Sequence, residues 1–290
     1  MPNTYFMAVF CMLLSMVSYQ LSASMAKQLI EQLDPITVTI LRLGFAAIIV
    51  GIIFKSWRIL SQLSQLKWRD LLCYSFALGL MNTLFYVSLG KLPQGIAVGL
   101  EFIGPLGLAF LSIKHKNDLF WVLLACMGIA LMVPWTMLNQ LEFSFFGASC
   151  ALGAGLCWAL YIYFGQRVVQ QNIGMHALTI AISLSVLFLL PIGIGHHPQA
   201  LIQIQFWPQA LLIAILATAI PYSLDLLALK QLSSMSYGTL SSLSPVLAAL
   251  SGFIFLNEYL TLLQWLSLFL IMMASIGITL KEHRQQKMAE

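Results

Sequence analysis

Ten runs of roughly 18 or more mostly apolar residues follow one another through this chain, at about 5–26, 35–54, 71–90, 94–113, 119–137, 145–165, 174–195, 208–229, 233–256 and 261–280. An α-helix needs about 20 such residues to cross hydrocarbon, and backbone groups in lipid must bond within their own helix. The pattern predicts an all-α membrane protein of ten transmembrane helices. With 60% of its residues hydrophobic and only 8% charged, the chain has too much apolar surface for a water-soluble fold. The connections are short, and no stretch is long or polar enough to form a separate soluble domain.

The chain also resembles itself. At an ungapped offset of 140 positions, LGKLPQGIAVGLEFIGP (89–105) lies on LKQLSSMSYGTLSSLSP (229–245), matching Leu89 to Leu229, Leu92 to Leu232, Leu100 to Leu240 and Pro105 to Pro245. Residues 1–140 and 141–290 then read as two five-helix repeats. An odd number of spans per repeat makes the two copies run in opposite directions through the bilayer. Inverted repeats are an architecture of secondary transporters, with the substrate near the midplane between the halves.

Lysine and arginine orient the bundle, because basic loops stay on the cytoplasmic side. With both termini in the cytoplasm, Lys55, Arg58, Lys67, Arg69, Lys114, Lys116, Arg167, Lys230, Lys281, Arg284 and Lys287 are inside, against Lys27 and Lys91 outside. The net charge of +4 thus reflects topology. Basic residues dispersed over five segments do not form a nucleic-acid-binding face. The first span resembles a signal peptide only in Ser22-Ala23-Ser24; no basic residue precedes it and the run is too long, so a retained helix is expected.

Several chemistries find no residues to carry them. Cys11, Cys73, Cys126, Cys150 and Cys157 are odd in number and lack CxxC spacing, so they read as small packing residues. His115, His176 and His283 are dispersed, the adjacent His196 and His197 have no third ligand nearby in the sequence, and no metal site or cofactor is expected. A membrane zinc protease needs HExxH, which is absent, and a membrane aspartyl protease needs two intramembrane aspartates where only Asp225 is found. The chain does not read as an enzyme.

Polarity inside the spans is costly and marks candidate functional residues. Arg42 and Glu101 each lie about two turns from the outer end of their spans, so their depths match and the two are placed to face one another, with a structural ion pair that fixes helix packing as the alternative to a functional role. Asp225 lies about one turn from the cytoplasmic end of its span, where pairing with Lys230 is the structural alternative. Burial opposes the charge of a carboxylate and a neighbouring arginine favours it, so Glu101 is a candidate for substrate ammonium binding or proton coupling. At the 140-residue offset Glu101 falls on Ser241 and Asp225 on Phe85, so neither acid has a charged counterpart.

Uncharged groups extend the candidate cavity. Ser15, Ser18 and Ser22 follow one face of the first span, with Gln20 and Ser24 beside it. Asn82 and Tyr86 are one turn apart, and Tyr222 is the repeat counterpart of Asn82. Trp158 and Tyr161 share a face of the sixth span, as pocket wall or as packing. For all of these, interhelical hydrogen bonding or space filling is the structural alternative. Gly95 and Gly99 form a GxxxG pair, and Gly147, Ala151 and Gly155 a small-residue ridge, both signs of close helix contact. Pro105 and Pro245 are candidate hinges, or static kinks, at equivalent positions.

The runs GLEFIGP (99–105), ALGAGLCWALYIYFGQR (151–167), ATAIPYSLDLLAL (217–229) and LSPVLAALSGFIFLNE (243–258), with SASMAK (22–27) and TILRLGF (39–45), resemble the drug/metabolite transporter superfamily and its paired EamA-type repeats. The nearest likeness is to its threonine/homoserine exporter branch and covers essentially the whole chain. It implies a ten-helix inner-membrane carrier exporting small amino acids by proton-driven antiport and alternating access. It also places Arg42, Glu101, Trp158, Tyr222 and Glu258 on motif positions, Glu258 as a helix-end structural residue. Asp225 stands where that branch carries glutamate, as does Ser244 before Pro245. The partners implied are a small zwitterion, protons and the lipid bilayer, in a monomer or a dimer. Aromatic amino acids or organic cations are the alternative cargo.

Overall fold

The computed structural model describes residues 2–58, 66–111, 119–132, 144–169, 171, 176–221, 224, 228, 232, 237 and 240–289, and helices dominate throughout. In chain order they are α1 (Pro2–Ile30), α2 (Pro35–Ile53), α3 (Trp68–Leu89), α4 (Gln94–Glu101), α5 (Ile103–Leu111), α6 (Leu119–Met132), α7 (Phe145–Val169), α8 (His176–His196), α9 (Pro198–Leu201), α10 (Trp207–Ala214), α11 (Ser244–Leu256) and α12 (Leu262–Ala289). No strand occurs among the described residues. Among the described residues, five helices are long and apolar enough to cross a membrane: Phe6–Ile30 within α1, then α2, α3, Phe145–Val168 within α7, and α8. The remaining apolar helices are shorter, at Gln94–Leu108, Ile204–Ala219, Ser244–Leu256 and Leu262–Gly277.

Local chemistry explains where these helices begin and break. The Asp34 carboxylate accepts from the Ile36 and Thr37 amides, both at 2.9 Å, and Pro35 occupies the first helical position of α2. Pro105 removes the amide that would bond to the Glu101 carbonyl four residues earlier, and α4 gives way to α5 at Phe102. In the second half a turn at 242–243 precedes α11, with Pro245 in its first turn. The two breaks coincide at the 140-residue offset. After α10 a π-helical segment, Ile215–Ala219, widens the backbone just before Pro221.

The main buried cluster joins Ala26 and Leu29 of α1, Val38 and Leu41 of α2, Tyr86 and Leu89 of α3, Ile96 and Leu100 of α4, and Ala249 of α11. α7 runs along α3, and α6 along α12. Small residues permit the closest approaches: a Cβ on Gly95 would meet the Ala249 backbone, and one on Gly104 would collide with the Gly155 carbonyl. Large apolar side chains such as Phe6, Leu156, Phe188, Phe253 and Leu262 face outward. That inside-out distribution suits helices whose outer solvent is lipid.

Candidate functional site

The helix break at Phe102 leaves Glu101 at the end of α4, 8% exposed, beside a cavity of about 430 Å³. The Glu101 carbonyl, freed by Pro105, lies against Gly155 of α7, where any Cβ would collide with it. Ser241, the repeat counterpart of Glu101, lines the same cavity. The duplicated breaks therefore bring one acid and one hydroxyl to a shared space.

Arg42 reaches this cavity from α2, about 10 Å along the helix from Pro35. Its Nη1 donates to Asn82 Oδ1 at 2.8 Å and to the Tyr86 hydroxyl at 3.2 Å, and the guanidinium lies 5.5 Å from the Tyr86 ring centroid. Asn82 is itself fixed, because its Nδ2 donates to the Leu78 carbonyl at 2.8 Å. Asn82 and Tyr86 are 7% and 1% exposed, so α3 holds the guanidinium from a rigid face. The Arg42 Nε is buried and has no hydrogen-bond partner. A buried unsatisfied donor costs about 1–3 kcal/mol, which an anionic acceptor in the cavity would offset.

No ion pair within 4.0 Å joins Arg42 to Glu101, so the structural ion pair that is the alternative for them is not formed. Among the described residues the ion pairs within 4.0 Å are Lys27–Glu258 and Arg167–Asp70. Equal depth is not contact: Asn82 and Tyr86 compete for the guanidinium from the neighbouring helix and hold it on their side. Both charged groups line one cavity without being joined.

The walls are partly aromatic. Trp158 meets Phe102 edge-on at 5.9 Å, and Tyr161 stacks on Tyr74 at 4.6 Å, so both predicted aromatics line the cavity with neighbours that fix their rings. The serine stripe of α1 divides its labour. Ser15 and Ser22 line the cavity, whereas Ser18 donates to the Leu216 carbonyl at 2.7 Å and ties α1 to the π-helical segment. Ser24 bonds to Gln94 and Ser251 instead. Tyr222 and Asp225 lie outside the described residues, as do Lys230 and His115. Pro105 is partly buried and Pro245 buried, each at its helix break. Tyr19, Phe102 and Thr218 also line the cavity, and the only sequence signal among them is the adjacency of Phe102 to an acid four residues before a proline.

Comparison with known proteins agrees with this architecture. The profile of the EamA-like transporter family matches residues 6–134 and again residues 145–280. This chain belongs to the EamA-like transporter family. Among curated relatives, the threonine/homoserine exporter RhtA of Escherichia coli K12 is 40% identical over 280 residues, covering 96% of this chain and 93% of the relative. The protein of the same name from Salmonella typhimurium LT2 is 39% identical over 282 residues, covering 97% and 94%. An uncharacterized transporter of Synechocystis, sll1319, is 30% identical over 128 residues, 40% of this chain and 39% of the relative. One solved structure shares the fold, with a TM-score of 0.61 at 18% identity, covering 95% of this chain and 98% of that one. The long relatives are exporters by name and not enzymes. The cavity of this EamA-like chain agrees in kind, because a guanidinium, a carboxylate, hydroxyls and aromatic rings around a small space are groups that bind.

Proposed function

We propose that this EamA-like transporter exports small amino acids of the threonine and homoserine type. The observation that carries the reading is a guanidinium and a carboxyl group that share one cavity of about 430 Å³ without being joined, Arg42 with its unpartnered buried Nε and Glu101. A zwitterion complements them. Its carboxylate accepts from Arg42, and its ammonium, or the coupling proton that replaces it, meets Glu101. Asn82 and Tyr86 are positioning residues for Arg42, and Trp158 and Tyr161 limit the volume left for the amino-acid side chain. The names of the two long relatives support the substrate class.

On this reading the chain has ten spans as two inverted five-helix repeats, 1–140 and 141–290, in the inner membrane with both termini cytoplasmic. It works by alternating access as a proton antiporter, with flexing at Pro105 and Pro245. The decisive experiment is counterflow of labelled threonine into proteoliposomes preloaded with unlabelled threonine, homoserine or phenylalanine. Uptake driven by threonine and homoserine but not by phenylalanine is the expected result. No threonine counterflow in folded protein overturns it. The aromatic wall of Phe102, Trp158 and Tyr161 supports a second reading, aromatic amino acids or organic cations, which predicts uptake driven by phenylalanine.

A further inference from the structure

We infer that Lys27 and Glu258, with Gln94 between them, form a latch that closes one mouth of the cavity and must part in each transport cycle. The inference rests on the alternating-access reading above. Lys27 is in the last turn of α1, Gln94 opens α4, and Glu258 follows α11. The Lys27 Nζ donates to Glu258 Oε1 at 2.6 Å and to the Leu92 carbonyl at 2.5 Å, and the other Glu258 oxygen accepts from the Gln94 amide at 2.6 Å. One carboxylate thus joins α1, α4 and α11.

A second polar layer lies between this pair and the cavity. The Gln94 Nε2 donates to the Gln20 carbonyl at 2.9 Å, Ser24 donates to Gln94 Oε1 at 2.7 Å, and the Ser24 and Ser251 hydroxyls are 2.8 Å apart. Gln20 also lines the cavity, so the closed layers abut the site directly. α1 meets the second half differently at its other end, where Met12 and Met16 pack with Ala228 and Leu232 in an apolar cluster.

The chemistry suits a contact that opens and closes. A typical hydrogen bond contributes only about 0.5–1.5 kcal/mol net because water replaces it, so polar layers part at less cost than interlocked apolar side chains. The network also crosses the two halves, with α1 and α4 from the first and α11 from the second, and these are the parts that alternating access moves. The fold is shaped to present Glu258. Asn257 ends α11 in the left-handed region at φ 53°, and the Glu258 amide turns back to the Gly252 carbonyl at 3.1 Å. Gly252 leaves the space that the carboxylate fills, since a Cβ there would collide with Glu258 Oε2.

Two measurements test the latch. In a cysteine-free background that retains counterflow, Ser24→Cys with Ser251→Cys should cross-link on oxidation, because the two hydroxyls already touch. Counterflow should be lost in the cross-linked protein and return on reduction; full flux through completely cross-linked protein overturns the proposal. The second measurement needs no transport, and so separates failure of the latch from failure of the functional reading. A single reporter, Ala23→Cys, is labelled with a membrane-impermeant thiol reagent on intact cells and on inverted vesicles. Glu258→Gln should raise labelling from the side of Lys27 by about tenfold or more, as expected from the loss of a charge-assisted hydrogen bond, and lower it from the opposite side. Unchanged rates on both sides overturn the proposal.

Discussion

Replacing Arg42 by lysine separates recognition from architecture. Lysine keeps the positive charge but is a point donor, whereas the guanidinium offers Nη1 to Asn82 and Tyr86 while its Nε remains free. If the Nε donates to a substrate carboxylate, Arg42→Lys forfeits one hydrogen bond to a charged group, about 1.5–3 kcal/mol. That corresponds to an increase of about 10- to 150-fold in half-saturating threonine. The empty protein should change much less. It loses bonds to Asn82 and Tyr86 but also sheds a buried unpartnered donor, and these offset to within about 1 kcal/mol. The assay is the concentration dependence of threonine counterflow, paired with thermal unfolding of the purified protein with and without threonine. Half-saturation within about twofold of the parent would refute the carboxylate contact. Equal losses of affinity and of stability would make Arg42 structural.

Two further substitutions test neighbouring parts of the site. Glu101→Gln keeps the shape of a buried side chain but removes its charge, so threonine export should fall to background while the amount of protein in the membrane is unchanged; retained export would remove Glu101 from the mechanism. Gly155→Ala would push a methyl group into the Glu101 carbonyl and wedge α7 from the α4–α5 break, lowering stability by about 1–3 kcal/mol along with flux. An unchanged unfolding midpoint in that variant would show that the helix contact is looser than described.

Much of the fold is legible in local pattern. Asp34-Pro35 announces the start of α2, and the small residues at 95 and 155 mark true close approaches. Helix continuity is less legible. The apolar run 94–113 reads as one span, but Pro105 divides it into α4 and α5, and the π-helical segment interrupts the run 208–229. Apolarity registers the solvent a helix prefers and not whether its hydrogen bonds run unbroken.

The lining of the candidate cavity is legible residue by residue more than pair by pair. Arg42, Asn82, Tyr86, Glu101, Trp158 and Tyr161 all line the cavity, because intramembrane polarity and aromatic clustering are composition signals. Which group bonds to which depends on helix rotation and on competition among neighbours. It is Asn82 and Tyr86, on the neighbouring helix, that hold the Arg42 guanidinium. Lys27 reads in sequence as an orienting charge and Glu258 as a helix-end residue, yet they pair across 231 positions. No local pattern encodes a contact at that separation.

The central claim is that two unjoined groups, the Arg42 guanidinium and the Glu101 carboxyl, recognise the two charges of one small zwitterion. Competition in threonine counterflow tests it directly, with threonine amide lacking the carboxylate charge and 2,3-dihydroxybutyrate lacking the ammonium. Each analogue should compete at least about tenfold more weakly than threonine, since each leaves Arg42 or Glu101 without its partner. Either analogue competing as well as threonine would contradict the account.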